Sequence, residues 1–517
     1  MAVTAKLRGA GRPGTVDAVD TMDAIDIAGL IARTSPRVLV VGDAVLDGWV
    51  SGPAHRTGRD GPVPVIELAD TRTAPGGAAG TAAALAALGA DVELVATLGD
   101  DHDGRLLRRQ LAEAGVRTER CVLDPARPTA AKRRVLAGDP PEHPVARFDV
   151  TPPPMGAAVA RALADQVSSA LGDGTQAVLV ADYGLGTLSE AVRRRLARGR
   201  ARIALFVVDA HDLAPWSALR PDAVTPNVAE AAALLGEPVP HRDRPGWAAA
   251  RHDRLVDAAG GADVLVTLDV DGVVRLPADG TPPRRVGAAA PAPASHCNGA
   301  GDVFAAAWTA ARCVDATTEV ALTLAQAAAD VVVTRPGAAP CATGALTARL
   351  AAAAPGRMLG HHDLLAVLAE HRSAGHRVVF TNGCFDVLHR GHVAYLRQAR
   401  ALGDVLVVAL NSDASVARLK GPTRPINPLE DRAGVIGALS VVDLVTAFAA
   451  DSPVELLELV RPDVYAKGGD YTAEMLPETP VVEALGGEVH ILDYLADHST
   501  SAIVARAQVP APGEVAR

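Results

Sequence analysis

The chain has 517 residues, of which 49% are hydrophobic and only 3% aromatic, and its formal net charge is −10. That length exceeds one ordinary domain, and the composition calls for cores of Ala, Val and Leu packed between layers of helix and strand. An acidic chain without long Lys/Arg runs argues against nucleic acid as a partner and leaves small anions, whose sites helix N-termini build locally. Five scattered cysteines, Cys121, Cys297, Cys313, Cys341 and Cys384, form no C-x-x-C pair, and no apolar stretch of 18 residues offers a membrane span. The reading is a reducing, cytoplasmic compartment.

Residues 1–30 read as a disordered leader. Short β-rich runs then alternate with Ala/Leu-rich helical stretches, and Arg37–Val41, Val92–Leu98, Ala177–Ala181, Ile203–Val208 and Val264–Leu268 read as strands. This order predicts a mostly parallel sheet covered on both faces. Pro62–Leu68 alternates more clearly and is expected in a small exposed sheet or lid. Asn298-Gly299-Ala300-Gly301-Asp302 precedes a helical stretch, Val303–Cys313. Glycines there let amides approach a phosphate, and a carboxylate at Asp302 can take the proton of an attacking hydroxyl. Taken alone, the string reads equally as a turn with an acidic first helical turn.

The surrounding residues favour the first reading. Gly42-Asp43 follows the first strand, Pro75-Gly76-Gly77-Ala78-Ala79 opens a helix, and Thr225-Pro226-Asn227 with Glu230 follows a strand. From Arg37 to Leu350 this order resembles the ribokinase-like sugar kinases. The resemblance implies a three-layer α/β domain with a small lid sheet over residues 31–352. It implies that Asp43, Gly76 and Gly77 hold sugar hydroxyls and that Asp302 is the catalytic base. Asn227 and Glu230, with Gly299, Ala300 and Gly301, would serve the nucleotide. Lys132-Arg133-Arg134-Val135-Leu136 followed by Arg147-Phe148-Asp149 resembles the heptose kinase branch, in which Arg134 and Arg147 would hold a 7-phosphate; on residue type alone they read equally as surface arginines. The chain departs from that branch where Gly80 stands for a sugar-binding Asn, Leu185 and His211 stand for Lys, and Asn298 stands for Thr.

The pattern weakens before residue 360, so a linker is placed at 353–361 and a second α/β domain at 362–510. A helix is expected from about His362, a strand at Val378–Thr381, a helix through Tyr395 to Ala401 and a strand at Val405–Leu410. Between the first strand and that helix lies Thr381-Asn382-Gly383-Cys384-Phe385-Asp386-Val387-Leu388-His389-Arg390-Gly391-His392. Three residues apart at a helix start, His389 and His392 can face one side and donate to phosphate oxygens. The bland readings are a surface pair or two zinc ligands, and the further ligands zinc needs are not evident.

This phrase resembles the cytidylyltransferase-like nucleotidyltransferases, Rossmann-like domains with an HxGH motif. Arg418-Leu419-Lys420-Gly421, Arg424 to Arg432, Lys467-Gly468-Gly469-Asp470-Tyr471 and Ser499-Thr500-Ser501 extend the likeness to the heptose adenylyltransferase branch. His389 and His392 would then be catalytic, and Thr381, Asn382, Gly383, Phe385, Asp386, Lys420, Arg432, Lys467, Ser499 and Thr500 would bind nucleotide. Together the two halves resemble the bifunctional family that phosphorylates heptose 7-phosphate and adenylylates heptose 1-phosphate. The resemblance implies ATP as substrate, Mg2+ carried largely by the triphosphate, no dedicated metal ligands, a separate phosphatase between the two steps, and a homodimer. The alternative is transfer of a nucleotide to another sugar or polyol phosphate, with a first domain that only binds sugar or dimerises. A tRNA-charging fragment is disfavoured by the lack of a K-M-S-K-S-like string.

Overall fold

The computed structural model describes residues 16–59, 61–138, 143–172, 174–289, 298–334, 340–353, 357–468, 472 and 475–492. The chain divides into two compact units, Met1–Leu346 and Thr347–Arg517.

In the first unit an eight-stranded sheet has the spatial order Arg284–Val286, Val273–Leu276, Asp263–Thr267, Ala223–Val224, Leu205–Ala210, Ala177–Asp182, Arg37–Gly42, Asp91–Val95. The last six run parallel, and the first two add antiparallel at one edge. The central strands are unbroken apolar runs because both faces are covered, so Val38–Val41 and Ala177–Ala181 are all buried. Leu163, Val167, Leu196, Trp216 and Leu255 pack from helices and loops onto this sheet. A second sheet orders His143–Val150, Ala130–Ala137, Ala44–Gly52 and Asp70–Gly77, and the chain passes from one sheet to the other at Asp43.

Three expectations change. The stretch expected as one strand at Val92–Leu98 divides, with Asp91–Val95 in the main sheet and Thr97–Gly99 paired to Val122–Asp124. Pro62–Leu68 does enter a small exposed sheet, but only Pro64–Val65 is strand, paired with Arg56–Thr57, and Val63 and Leu68 stay exposed. The expected leader at residues 1–30 contains the start of a helix, Val16–Thr34, whose Ala24, Ile25, Ala28 and Ile31 are buried at helical spacing and which packs on helix Thr318–Val332.

The second unit is a six-stranded, all-parallel sheet ordered Met358–Leu359, Leu444–Phe448, Val405–Asn411, Val378–Gly383, Val464–Gly468, Glu488–Leu492. Helix His361–Ser373 precedes its second strand, and helix Arg390–Arg400 follows the glycine turn. Among the described residues no helix is long and apolar enough to cross a membrane.

Both sheets reverse their order at one strand. Arg37–Gly42 lies between Asp91–Val95 and Ala177–Asp182, and Val378–Gly383 lies between Val405–Asn411 and Val464–Gly468. Crossovers leaving such a strand on opposite sides open a crevice at its carboxyl end. Those crevices begin after Gly42 and Gly383.

Candidate active sites

In the first unit, helix Ala300–Cys313 starts from Gly299, whose backbone is left-handed at φ 81°, a conformation that favours glycine. Its first turn serves two cavities. Gly299 and Asp302 face one of about 460 Å³, with Trp49, Arg72, Gln110 and Asn298. Ala300 and Gly301 face one of about 250 Å³, with Asn227, Thr267, Gln326 and Asp330.

Asp302 lines its cavity but is largely enclosed by protein, and the phenol of Tyr183 donates to its Oδ1. The same phenol lies 3.1 Å from Asp209 Oδ2. Loss of hydration, then repulsion from Asp209, pushes the Asp302 carboxyl up to about 7. Loss of hydration, then Glu230, pushes Asp209 up to about 6. A carboxylate poised near neutrality is suited to general-base work.

Asp43 plays a different part from the sugar contact expected of it. Its buried carboxylate accepts from the amides of Tyr183 at 3.0 Å, Leu185 at 2.9 Å and Thr187 at 2.9 Å. It therefore holds the turn that carries Tyr183. Asp47 takes the place nearer the site: its Oδ1 accepts from Arg134 Nη1 at 3.0 Å, and its charge adds to the repulsion on Asp302. The signal for Asp47 was the one charged side chain in the strand Ala44–Gly52. Gly76 makes room for it, since a Cβ there would meet Asp47 Oδ2 at 2.1 Å; at Gly77, with φ 56°, a Cβ would meet the Asp43 carbonyl oxygen at 2.5 Å.

Arg134 also donates from Nη2 to Asn298 Oδ1 at 3.0 Å, tying the four-stranded sheet to the glycine turn. Arg147 lies opposite Arg134 in register, but its guanidinium is engaged by Asp149 at 2.7 and 2.6 Å. Lys132, given no role from sequence, stands 5.5 Å from the Tyr183 ring and favours the ionised form of Asp302. Asn227 and Glu230 form a capping box on helix Val228–Leu234, and Glu230 Oε1 also meets His211 Nδ1 at 2.6 Å. Gly80 lines the larger cavity, where a Cβ would come within 3.2 Å of Asp302 Oδ2.

In the second unit, His389 caps helix Arg390–Arg400 and stacks on His392, with ring centroids 3.8 Å apart and planes 23° apart. Burial, then His389 and Lys420, push His392 down to about 4, so its ring is neutral at pH 7. His392 Nδ1 is buried without a hydrogen-bond partner. Phe385, at φ 43°, packs 5.1 Å from the His392 ring, and its own ring occupies the space a Cβ on Gly383 would take. Asn382 Oδ1 accepts from Lys467 Nζ at 2.9 Å and from the Tyr465 phenol at 2.8 Å. Burial holds the Lys467 ammonium below its ordinary value. Lys420 is exposed at the end of helix Asp413–Lys420.

Three residues expected at the nucleotide lie behind this surface. Thr381 is buried and shares a hydrogen bond with the Tyr395 phenol. Asp386 is buried and accepts from the amides of Ile426 at 2.6 Å and Asn427 at 3.1 Å and from Arg424. Arg432, its side chain fully buried, donates to the carbonyls of Cys384 at 2.6 Å, Asn411 at 2.8 Å and Asn427 at 3.1 Å, and to Asp413 at 2.7 Å. These bonds leave its guanidinium no surface for a nucleotide. Ser499 and Thr500, like 469–471, lie outside the described residues.

One site pairs a glycine-started helix with a carboxylate poised near neutrality between two cavities, and the other pairs two stacked histidines, His392 of them neutral, with a lysine at a switch-point strand. Residues 35–150 and 188–344 match the pfkB family carbohydrate kinases, and residues 380–505 match the cytidylyltransferase-like family. Escherichia coli phosphofructokinase-2 in complex with substrates and products shares the fold, with a TM-score of 0.51 at 18% identity over 61% of this chain and 99% of that one. The chain is thus a bifunctional transferase, a carbohydrate kinase joined to a nucleotidyltransferase. The bifunctional protein HldE of Azorhizobium caulinodans is 38% identical over 488 residues, 91% of this chain and 98% of that protein. That of Hyphomonas neptunium is 35% identical over 93% of this chain and 99% of its own length. The chain belongs to the HldE family.

Proposed function

We propose that the first unit transfers the γ-phosphoryl group of ATP to O1 of heptose 7-phosphate, and that the second transfers AMP from ATP to heptose 1-phosphate, giving ADP-heptose and pyrophosphate. The observation that carries this reading is the place of Asp302 at a helix start that faces two cavities, one for each substrate of a phosphoryl transfer. The larger takes the sugar, lined from the four-stranded sheet by Trp49 and Arg72, with Asp47 and Arg134 tied to its wall through Asn298; the smaller takes ATP beside Asn227. Asp302 accepts the proton of the anomeric hydroxyl as that oxygen attacks, and the amides at Gly299, Ala300 and Gly301 receive the charge on the phosphates.

The nucleophile of the second reaction is a phosphate that is already anionic, so positioning and charge stabilisation suffice without a base. His389 and the neutral ring of His392 donate hydrogen bonds to the α-phosphate, and Lys420 and Lys467 supply positive charge. Mg2+ supplies charge neutralisation on the triphosphate in both units. A cation carried by phosphate oxygens and water needs no dense cluster of protein carboxylates. Loss of the 7-phosphate between the steps falls to a separate phosphatase.

The test is ADP formation and product mass with Mg-ATP and heptose 7-phosphate, alongside pyrophosphate release with heptose 1-phosphate. A bisphosphate that depends on Asp302 is the expected result. Pyrophosphate release without any sugar phosphorylation favours the alternative in which the first unit only binds sugar, a reading that Gly80, Leu185 and Asn298 motivate.

A further inference from the structure

The Tyr183 hydroxyl touches carboxylates from two elements, Asp302 on the glycine-started helix and Asp209 at the end of strand Leu205–Ala210. A phenol has one proton to give, so it cannot donate to both at once. Whichever carboxylate lacks that proton is the one that gains by binding another. We propose that Tyr183 is a positioning residue that joins Asp302 and Asp209 into one proton-sharing pair serving the phosphoryl transfer; this rests on the kinase reading above.

The rest of the surroundings fits. Thr225 donates to the far oxygen of Asp209 at 3.0 Å, so its near oxygen is the one turned to the phenol. Lys132 and Asp47 face Asp302 from the four-stranded sheet with opposite signs, while Glu230 and His211 bear on Asp209. His211 packs edge-on to the Tyr183 ring at 4.9 Å. Burial and the two carboxylates hold the phenol well above its ordinary value, so it stays protonated and can pass a proton only by receiving one.

The step balances. The sugar O–H bond breaks as the O–P bond forms and the bond from the γ-phosphorus to ADP breaks, leaving the proton on Asp302. Tyr183 then gives its own proton to Asp209 and receives the one on Asp302. The pair as a whole returns one proton to water after product leaves, and its titration belongs to both residues together.

The experiment follows ADP formation by the full chain with Mg-ATP and heptose 7-phosphate across the pH range, for wild type, Tyr183→Phe and Asp209→Asn. Tyr183→Phe is expected to lower kcat about tenfold or more, with both KM values within about twofold of wild type. Its acid limb moves to higher pH, because the lost donation favoured ionised Asp302. In Asp209→Asn the limb moves to lower pH, because the lost charge repelled it. Limbs that stay put or move together, or a Tyr183→Phe loss confined to KM, overturn the proposal. Binding of heptose 7-phosphate by calorimetry checks that each variant is folded. Where Asp209→Asn is not, Thr225→Val, which withdraws a donor from ionised Asp209, is expected to lower the limb in the same direction. No turnover by wild type overturns the substrate reading and this pair with it; turnover with unmoved limbs overturns the pair alone.

Discussion

The two sites solve the charge problem of phosphate chemistry in opposite ways. In the first unit burial and repulsion from neighbouring carboxylates, Asp209 on Asp302 and Glu230 on Asp209, drive two carboxyls upward, Asp302 to about 7 and Asp209 to about 6. In the second, burial and neighbouring positive charge drive His392 down to about 4. On the reactions proposed above, the difference follows from the nucleophiles: a sugar hydroxyl has a proton to lose, whereas a sugar phosphate has none that matters. The proposal then needs a base near neutrality in the first unit only, and in the second a neutral donor at His392.

The largest test of this contrast is a pair of single substitutions in one chain. Asp302→Asn is expected to lower ADP formation by about 10²- to 10⁴-fold while leaving pyrophosphate release unchanged. His392→Ala is expected to do the reverse, lowering pyrophosphate release by about 10²- to 10³-fold. Initial rates of both reactions in both variants decide it, and a loss that appears in both assays breaks the division of labour.

Next in size is a change that sharpens the difference between contact and support. Arg432→Met removes a buried cation from four acceptors, and is expected to cost the second unit about 3–5 kcal/mol in a urea melt. Lys467→Met, on the ligand side, is expected to raise the KM for ATP in pyrophosphate release with little change in that melt. Equal stability losses for the two would return Arg432 to the ligand-binding residues.

The smallest expected effect is in pH. Asp302 must be ionised to act, so kcat/KM for the kinase falls as pH drops through about 7, to about a tenth by pH 6. His392 keeps its neutral form well below that, so nucleotidyl transfer holds its rate over the same interval. For folding, the sign is also set: His392 binds a proton when unfolded but not when folded between about 6.5 and about 4, so its contribution to stability is lost as pH falls across that window. Melts of wild type and His392→Ala against pH should converge toward the acid end.

The places of both sites were legible in the sequence, because glycine turns after strands and before helices leave marks in the residue order. Which side chain faces the ligand was less so. Asp43 and Asp47 are both carboxylates near one turn, and the choice between them is made by backbone amides 140 to 144 residues away. Likewise Asp386 and Arg432 carry the charge a nucleotide site wants, but loops 21 to 48 residues distant use that charge first. A small lid sheet followed from the resemblance, but its strands were not legible one by one, since His143–Val150 is almost wholly exposed and shows no buried alternation.

The helix Val16–Thr34 bears on how this protein is cut for study. A shortened version begun at residue 31, the boundary the sequence suggests, discards Ala24, Ile25 and Ala28 and bares the flank of Thr318–Val332 that they cover. That same helix supplies Gln326 and Asp330 to the smaller cavity. Truncation there uncovers the back of a helix that walls this cavity, so a shortened chain should keep Val16 onward.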